Sequence, residues 1–157
     1  TLSYFKTVER GWAPQPAVAN PRLSLIHVRD LAEALASALD RPPPSGVYEI
    51  DDGREGAYGY ADMAAAAGAA LGVRPRSLPI GRSVLMGIGR LNAARQRLGA
   101  APQILTAGKV AEMFHPDWAV HDWRLASHLG FAAKYGLKDG FADTVGWYRA
   151  HGWLRNR

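Results

Sequence analysis

"LSLIHVRDLAEALASALDRPPPSGVYEI", residues 23–50, carries the most informative pattern in the chain. Leu23–Val28 is an apolar run with β-branched members and reads as a strand. Asp30 predicts a helix N-cap, with Glu33 three residues on as its capping-box partner. Leu31, Ala34, Leu35, Ala38 and Leu39 then share one helical face. Pro42, Pro43 and Pro44 stop the helix, because a proline donates no N–H and its ring clashes with the preceding turn. Gly46–Ile50 reads as the next strand. Strand, helix, strand is a βαβ unit, which crosses over right-handed, and it makes the expected class α/β.

Short elements follow on both sides. Leu2–Gly11 predicts a short helix ending at glycine, and Trp12–Pro21 a proline-rich loop. A helix is expected over Tyr60–Leu71, with Gly59 at its N-cap, Asp62 near its positive end and Gly72 as its stop. Arg74–Ile80 reads as extended, and Ser83–Leu98 as an amphipathic helix with Leu85, Ile88, Leu91 and Asn92 on one face. Ile104–Phe114 predicts a helix and Trp118–His121 a short strand. Asp122 is placed to cap a helix that runs to Leu129 and stops at Gly130. The last helix is expected from Gly136, with Asp139 in its first turn, burying Leu137, Phe141, Val145 and Tyr148 and ending near Gly152. Internal repeats, low-complexity tracts and long linkers are absent, so residues 1–157 read as one domain of short strands and several packed helices.

Composition narrows the function classes. The chain is 48% hydrophobic, which suits a globular core, and no window approaches the apolar length of a membrane span. It has no cysteine, which excludes disulfides and thiolate metal sites. Residue 1 is not Met and no signal-peptide core follows it, so a longer native chain in the cytoplasm is the expectation. Charge is unevenly spread. Arg74, Arg76, Arg82, Arg90, Arg95, Arg97 and Lys109 lie in a window, residues 73–111, that has no Asp or Glu. Its charge exceeds the +5 of the whole chain. Such a segment fits a solvated face, a site for an anionic part of a substrate, or a helix lying on an anionic membrane surface, which would make the protein membrane-peripheral. Nucleic acid is disfavoured, because aromatic residues are not interleaved with the arginines.

Gly53, Gly56 and Gly59 stand between an apolar run and a helix, as in dinucleotide-binding loops. Their surroundings argue for a flexible turn instead. Asp51, Asp52 and Glu55 would repel a pyrophosphate, and no acid follows at the distance a ribose contact needs. His115 and His121 bracket Pro116-Asp117-Trp118 at a spacing that matches no zinc pattern, so a structural turn is expected there and no metal site is assigned. His27 reads as a hydrogen-bonded core histidine.

Several stretches resemble extended short-chain dehydrogenases/reductases of the NAD-dependent epimerase/dehydratase family. "SLIHVRDLAEALASAL" is similar to a strand-then-helix segment of that family, and "SGVYEIDDG" to a later tyrosine-bearing strand and glycine turn. "HDWRLASHLGF" followed by "GLKDGFADTVGWYRAHGWL" resembles its closing segment. The resemblance implies the C-terminal, substrate-binding part of an extended Rossmann-type enzyme that uses NAD or NADP. The nucleotide loop and the catalytic Tyr-x-x-x-Lys pair would lie on a missing N-terminal lobe. None of the six tyrosines here is followed four places on by Lys, so no catalytic residue is assigned and the chain is expected to be inactive, and free of cofactor, by itself.

Two departures bear on the substrate. Leu23 and Ser24 stand where sugar-nucleotide members carry Arg-Asp, with Arg22 one position early. His115-Pro116-Asp117 stands where those members carry an Arg-x-Gly-Asp turn. The resemblance therefore implies either a sugar-nucleotide epimerase or dehydratase, or a reductase of a ketone on a lipid-like, acyl or steroid-like molecule. A non-enzymatic module with a basic face is the alternative outside enzymes. Trp12, Arg22, Arg82, Arg90 and Arg95 are the candidate substrate-binding residues. A small-molecule substrate, the missing lobe, a homodimer formed through exposed apolar surface and an anionic membrane are the candidate partners.

Overall fold

The computed structural model describes residues 1–101, 103 and 105–155. Helix α1, Leu2–Glu9, turns Phe5 and Val8 inward. The chain leaves it at Gly11, whose φ of +91° lies in the left-handed region that favours glycine. It then enters strand β1, Trp12–Pro16, where a loop was expected. β1 runs parallel to β3, Arg76–Ile80, with Trp12 opposite Arg76 and Pro16 opposite Ile80. The prolines fit because hydrogen bonding along a strand has a period of two. Arg76 N–H donates to Gly11 C=O and Ala17 N–H to Ile80 C=O. That register aims the Ala13 and Gln15 amides at β3 and leaves Pro14 and Pro16 at positions whose missing N–H faces away.

Helices α3, Tyr60–Leu71, and α7, Leu137–Ala150, pack against each other, and α1 lies on α3 and β1. Phe5, Val8, Ala13, Ala67, Leu71, Val145 and Leu154 form the core between them. Phe5 meets Phe141 edge-on at 5.1 Å and Tyr148 at 5.9 Å. Each large side chain buried in this way contributes about 1.5–3 kcal/mol. Gly68 is needed where the chain doubles back after α3, because a Cβ there would stand 2.7 Å from the Val73 carbonyl oxygen.

The expected βαβ unit does not close. Strand β2 is only Arg22–Leu23, parallel to β4, Asp117–Trp118, and Leu23 also makes an antiparallel bridge with Tyr58. Residues 24–27 and 46–50 form no ladder, although the Asp52 N–H donates to the Leu25 carbonyl at 2.9 Å. A strand is made by lateral partners, and β4 offers β2 only two residues. For the same reason β4 begins one residue before the strand expected at Trp118–His121 and ends after two.

Helix α2, Val28–Asp40, starts earlier than Asp30 predicts, with His27 as its N-cap. Helix α4, Arg82–Arg97, packs on α5, Ala107–Met113, whose N-cap Thr106 accepts from the Lys109 N–H at 3.2 Å. The expected start of α5 at residue 104 lies outside the described residues. Of the face expected for α4, Leu85 and Asn92 do turn inward, but Gly89 lies between them where Ile88 and Leu91 were expected. A Cβ on Gly89 would lie 2.9 Å from the Thr106 carbonyl carbon, and Asn92 donates to the Leu105 carbonyl at 3.0 Å. Ile88 and Leu91 are exposed. Helix α6, Arg124–Leu129, ends at Gly130 as expected, and Asp122 accepts from the Arg124 N–H at 3.0 Å. In α7, Val145 is buried and Phe141 and Tyr148 pack on the core, as its pattern predicts, whereas Leu137, expected to be buried with them, is only half-buried and lies outside that core. The described residues thus form seven helices with short parallel strands, an α/β arrangement. None of these helices is long and apolar enough to cross a membrane.

Candidate functional site

His27 sits where the extended residues 24–26 meet α2, and four groups fix its ring. Nδ1 accepts from the Arg29 N–H at 3.4 Å, and Nε2 lies 3.4 Å from an Asp143 carboxylate oxygen. The ring lies against Tyr135, with centroids 4.3 Å apart. Behind it is Gly140 of α7, where a Cβ would come within 3.3 Å of the imidazole. Arg29 completes the group, 3.3 Å from both Asp143 and the Tyr135 hydroxyl. This is the satisfied histidine that the sequence implies. Two open cavities share His27, Val28, Thr144 and Tyr148. One, of about 320 Å3, extends along Leu25, Ile26 and Phe141; the other, of about 430 Å3, extends toward Trp147 and Trp153. The first is walled mainly by apolar side chains, whereas the second also exposes Arg29 and Asp143, so an aliphatic segment suits the first and a polar end the second.

The glycine turn borders this region, and hydrogen bonds tie it down, which corrects the expectation of a flexible turn. Buried Asp51 accepts from Ser24 Oγ at 2.6 Å and from the Gly53 N–H at 2.9 Å. Asp52 accepts from the Tyr58 hydroxyl and from the Arg54 N–H. The Arg54 guanidinium lies over the Tyr58 ring at 4.6 Å. The Tyr58 hydroxyl accepts in turn from the Leu137 N–H at 3.3 Å, which joins the turn to the start of α7. Burial, followed by the bond to the Asp52 carboxylate, raises the Tyr58 phenol pKa above its ordinary value. A pyrophosphate cradle requires free N–H groups, and here the turn's own carboxylates take those of Gly53 and Arg54. The donor set of this turn does not fit a dinucleotide.

Asp30 has a different role from the expected cap. It is buried, and its two carboxylate oxygens accept from the Lys134 N–H at 3.1 Å and the Tyr135 N–H at 3.0 Å. Lys134 also reaches Glu33, and that bond raises the lysine pKa. Asp30 therefore fastens the segment before α7 to α2 and sets the Tyr135 ring against His27. These long-range partners are what sequence reasoning missed. The local signal, an acid three residues before Glu33, is the same for a cap and for an inward-facing anchor.

The sequence candidates are spread over separate elements. Trp12 opens β1 opposite Arg76. Arg22 is ion-paired with Asp117 across β2 and β4, and Asp117 has its pKa lowered first by the Ala119 N–H and then by Arg22. Arg82, Arg90 and Arg95 share α4 and are exposed. None of the five lines the two cavities beside His27. His115 accepts from the Asp117 N–H at 3.2 Å, so this segment forms the expected turn. Among the described residues no group of three or more His, Cys, Asp or Glu is placed to hold a metal ion.

The fold and the pocket define an α/β chain with a histidine-flanked groove that is apolar at one end and charged at the other. No family model matches the sequence. The chain is 33% identical over 154 residues to the ceramide reductase of Caulobacter vibrioides (strain NA1000 / CB15N), an alignment covering 98% of this chain and 48% of that protein. It is thus related in sequence to a reductase and spans about half the length of that curated relative. A solved structure described as the crystal structure of gox2253 superposes with a TM-score of 0.59 at 21% identity, over 88% of this chain and 41% of that one. This second likeness concerns the fold alone.

Proposed function

We propose that the chain is the substrate-facing, C-terminal portion of an NAD(P)-dependent reductase of the extended short-chain dehydrogenase type, acting on a ketone of a lipid-like molecule of the ceramide class. The observation that carries this reading is the identity with ceramide reductase along nearly the whole chain. Three features support it. The cavity that extends along Leu25, Ile26 and Phe141 has the apolar wall an aliphatic chain requires. Residues 24–27 and 46–50 have strand-like sequences without a ladder, which suits an edge that a further lobe would extend. The amides of the glycine turn are engaged and the sequence has no Tyr-x-x-x-Lys pair, so the reading assigns nucleotide and proton donor to that lobe. Arg22 is held by Asp117, which favours a lipid-like substrate over a sugar nucleotide.

The test is a turnover assay on the full-length protein with NADH or NADPH. The panel contains keto-lipids, including the ketone of a ceramide, and sugar nucleotides. Loss of reduced-nicotinamide absorbance with the keto-lipids is the expected result. Turnover of sugar nucleotides alone, or tight NADH binding by residues 1–157 alone in calorimetry, would overturn the reading.

A further inference from the structure

Helix α4 carries two surfaces besides the one that meets α5. At 100° per residue, Leu85, Gly89 and Asn92 form the packed line. About a third of a turn away run Val84, Ile88 and Leu91, continued past the helix end by Leu98. These four apolar side chains are 59%, 42%, 54% and 89% exposed. Arg95 lies within this line, and Arg82, Arg90 and Arg97 lie on the other side of the helix. The window around α4 supplies no acid to neutralise them, and Lys109 finds its partner, Glu112, just beyond it.

We infer that α4 is a docking surface for an anionic lipid bilayer, its apolar line entering the interface and its arginines reaching the headgroups. An apolar line opposite an arginine-rich face is the arrangement of helices that lie in the plane of a membrane surface. The long aliphatic stems of Arg90 and Arg97 let their charges bend toward phosphates while the helix axis stays level. Charge complementarity selects this occupant over a second copy of the chain, because two α4 surfaces brought together would confront arginine with arginine and no carboxylate. The inference is independent of the reductase reading, since it concerns a helix that does not line the cavities beside His27.

The experiment is co-sedimentation of the full-length protein with vesicles of phosphatidylcholine alone or mixed with phosphatidylglycerol, without cofactor or substrate. Binding is expected only with the anionic lipid, weakening as salt rises. Arg82→Gln, Arg90→Gln and Arg97→Gln are each expected to weaken it by about fivefold. Ile88→Asp with Leu91→Asp is expected to abolish it with the thermal unfolding transition retained. Equal binding to neutral vesicles, or unchanged binding by the folded aspartate variant, would overturn the inference. So would conversion of a dimer to a monomer by that variant, or a preference for nucleic acid over vesicles in competition.

Discussion

Helices α3 and α4 are both close-packed at a glycine, and they differ in nearly everything else. α3 has 12 residues and no basic side chain, and it buries Ala66, Ala67, Gly68 and Leu71. Its alanines let α1 and α7 approach closely, so most of its inner surface is consumed by the core. α4 has 16 residues and buries only Leu85 and Gly89. The longer helix is the less anchored of the two. Helices of this length are marginal in isolation, so tertiary burial rather than length sets their stability. What α4 withholds from the core it presents outward, as a row of apolar side chains and a set of arginines. Within one chain, one helix is therefore enclosed by the core and the other leaves most of its side chains at the surface.

The sharpest way to test this contrast is to empty the α3 side. Phe5→Ala removes a fully buried ring from the core and is expected to cost about 3–5 kcal/mol. The readout is the urea midpoint, and a loss under about 1 kcal/mol would mean that α1 does not belong to the same cooperative unit. Asp30→Ala comes next. It leaves two amide donors, Lys134 and Tyr135, without their acceptor and is expected to cost about 2–4 kcal/mol. Hydrogen exchange should then rise at these two amides first.

Substitutions at two glycines of α4 should act in opposite directions. Gly89→Ala forces a Cβ against the Thr106 backbone and is expected to destabilise the α4–α5 pair by about 1–3 kcal/mol, with faster exchange in α5 and none of that change in α3 or α7. Gly87→Ala meets nothing within 4 Å and is expected to stabilise the helix by up to about 1 kcal/mol. Equal effects at both positions would contradict the packed line assigned to α4.

The smallest effect is expected at Tyr58. Its folded-state phenol pKa is raised, so the folded state favours the neutral form. The associated stability is complete below the ordinary value of 10.0 and is lost as pH climbs through the raised value. Tyr58→Phe should cost about 0.5–1.5 kcal/mol at neutral pH. It should also remove one of the late-titrating phenols, which include Tyr4 and Tyr60, from the alkaline absorbance titration.

Parts of the candidate site were legible before the structure and parts were not. His27 was readable as a satisfied histidine from the alternation expected of a strand at Leu23–Val28, although residues 24–27 form no ladder. Its partners Asp143 and Tyr135 were not, since they lie far along the chain and reach it only where the start of α2 meets α7 and the segment before it. At the glycine turn the three acids Asp51, Asp52 and Glu55 were legible in the sequence, but what two of them bind was not. The bonds that hold it, from Ser24 to Asp51 and from Leu137 to Tyr58, join distant segments and leave no trace in local composition.

The amino-acid sequence alone determined α3 to the residue, the left-handed stops at Gly72 and Gly130, the core-facing Phe141, Val145 and Tyr148 of α7 and the acid-free basic segment. These depend on hydrogen bonds, caps and charges that neighbouring residues supply to one another. Tertiary structure decided which apolar runs became strands, which face of α4 turned inward and what Asp30 binds. A ladder bond, a close helix approach and a buried carboxylate each need a partner from elsewhere in the chain, and only the folded arrangement brings that partner within reach.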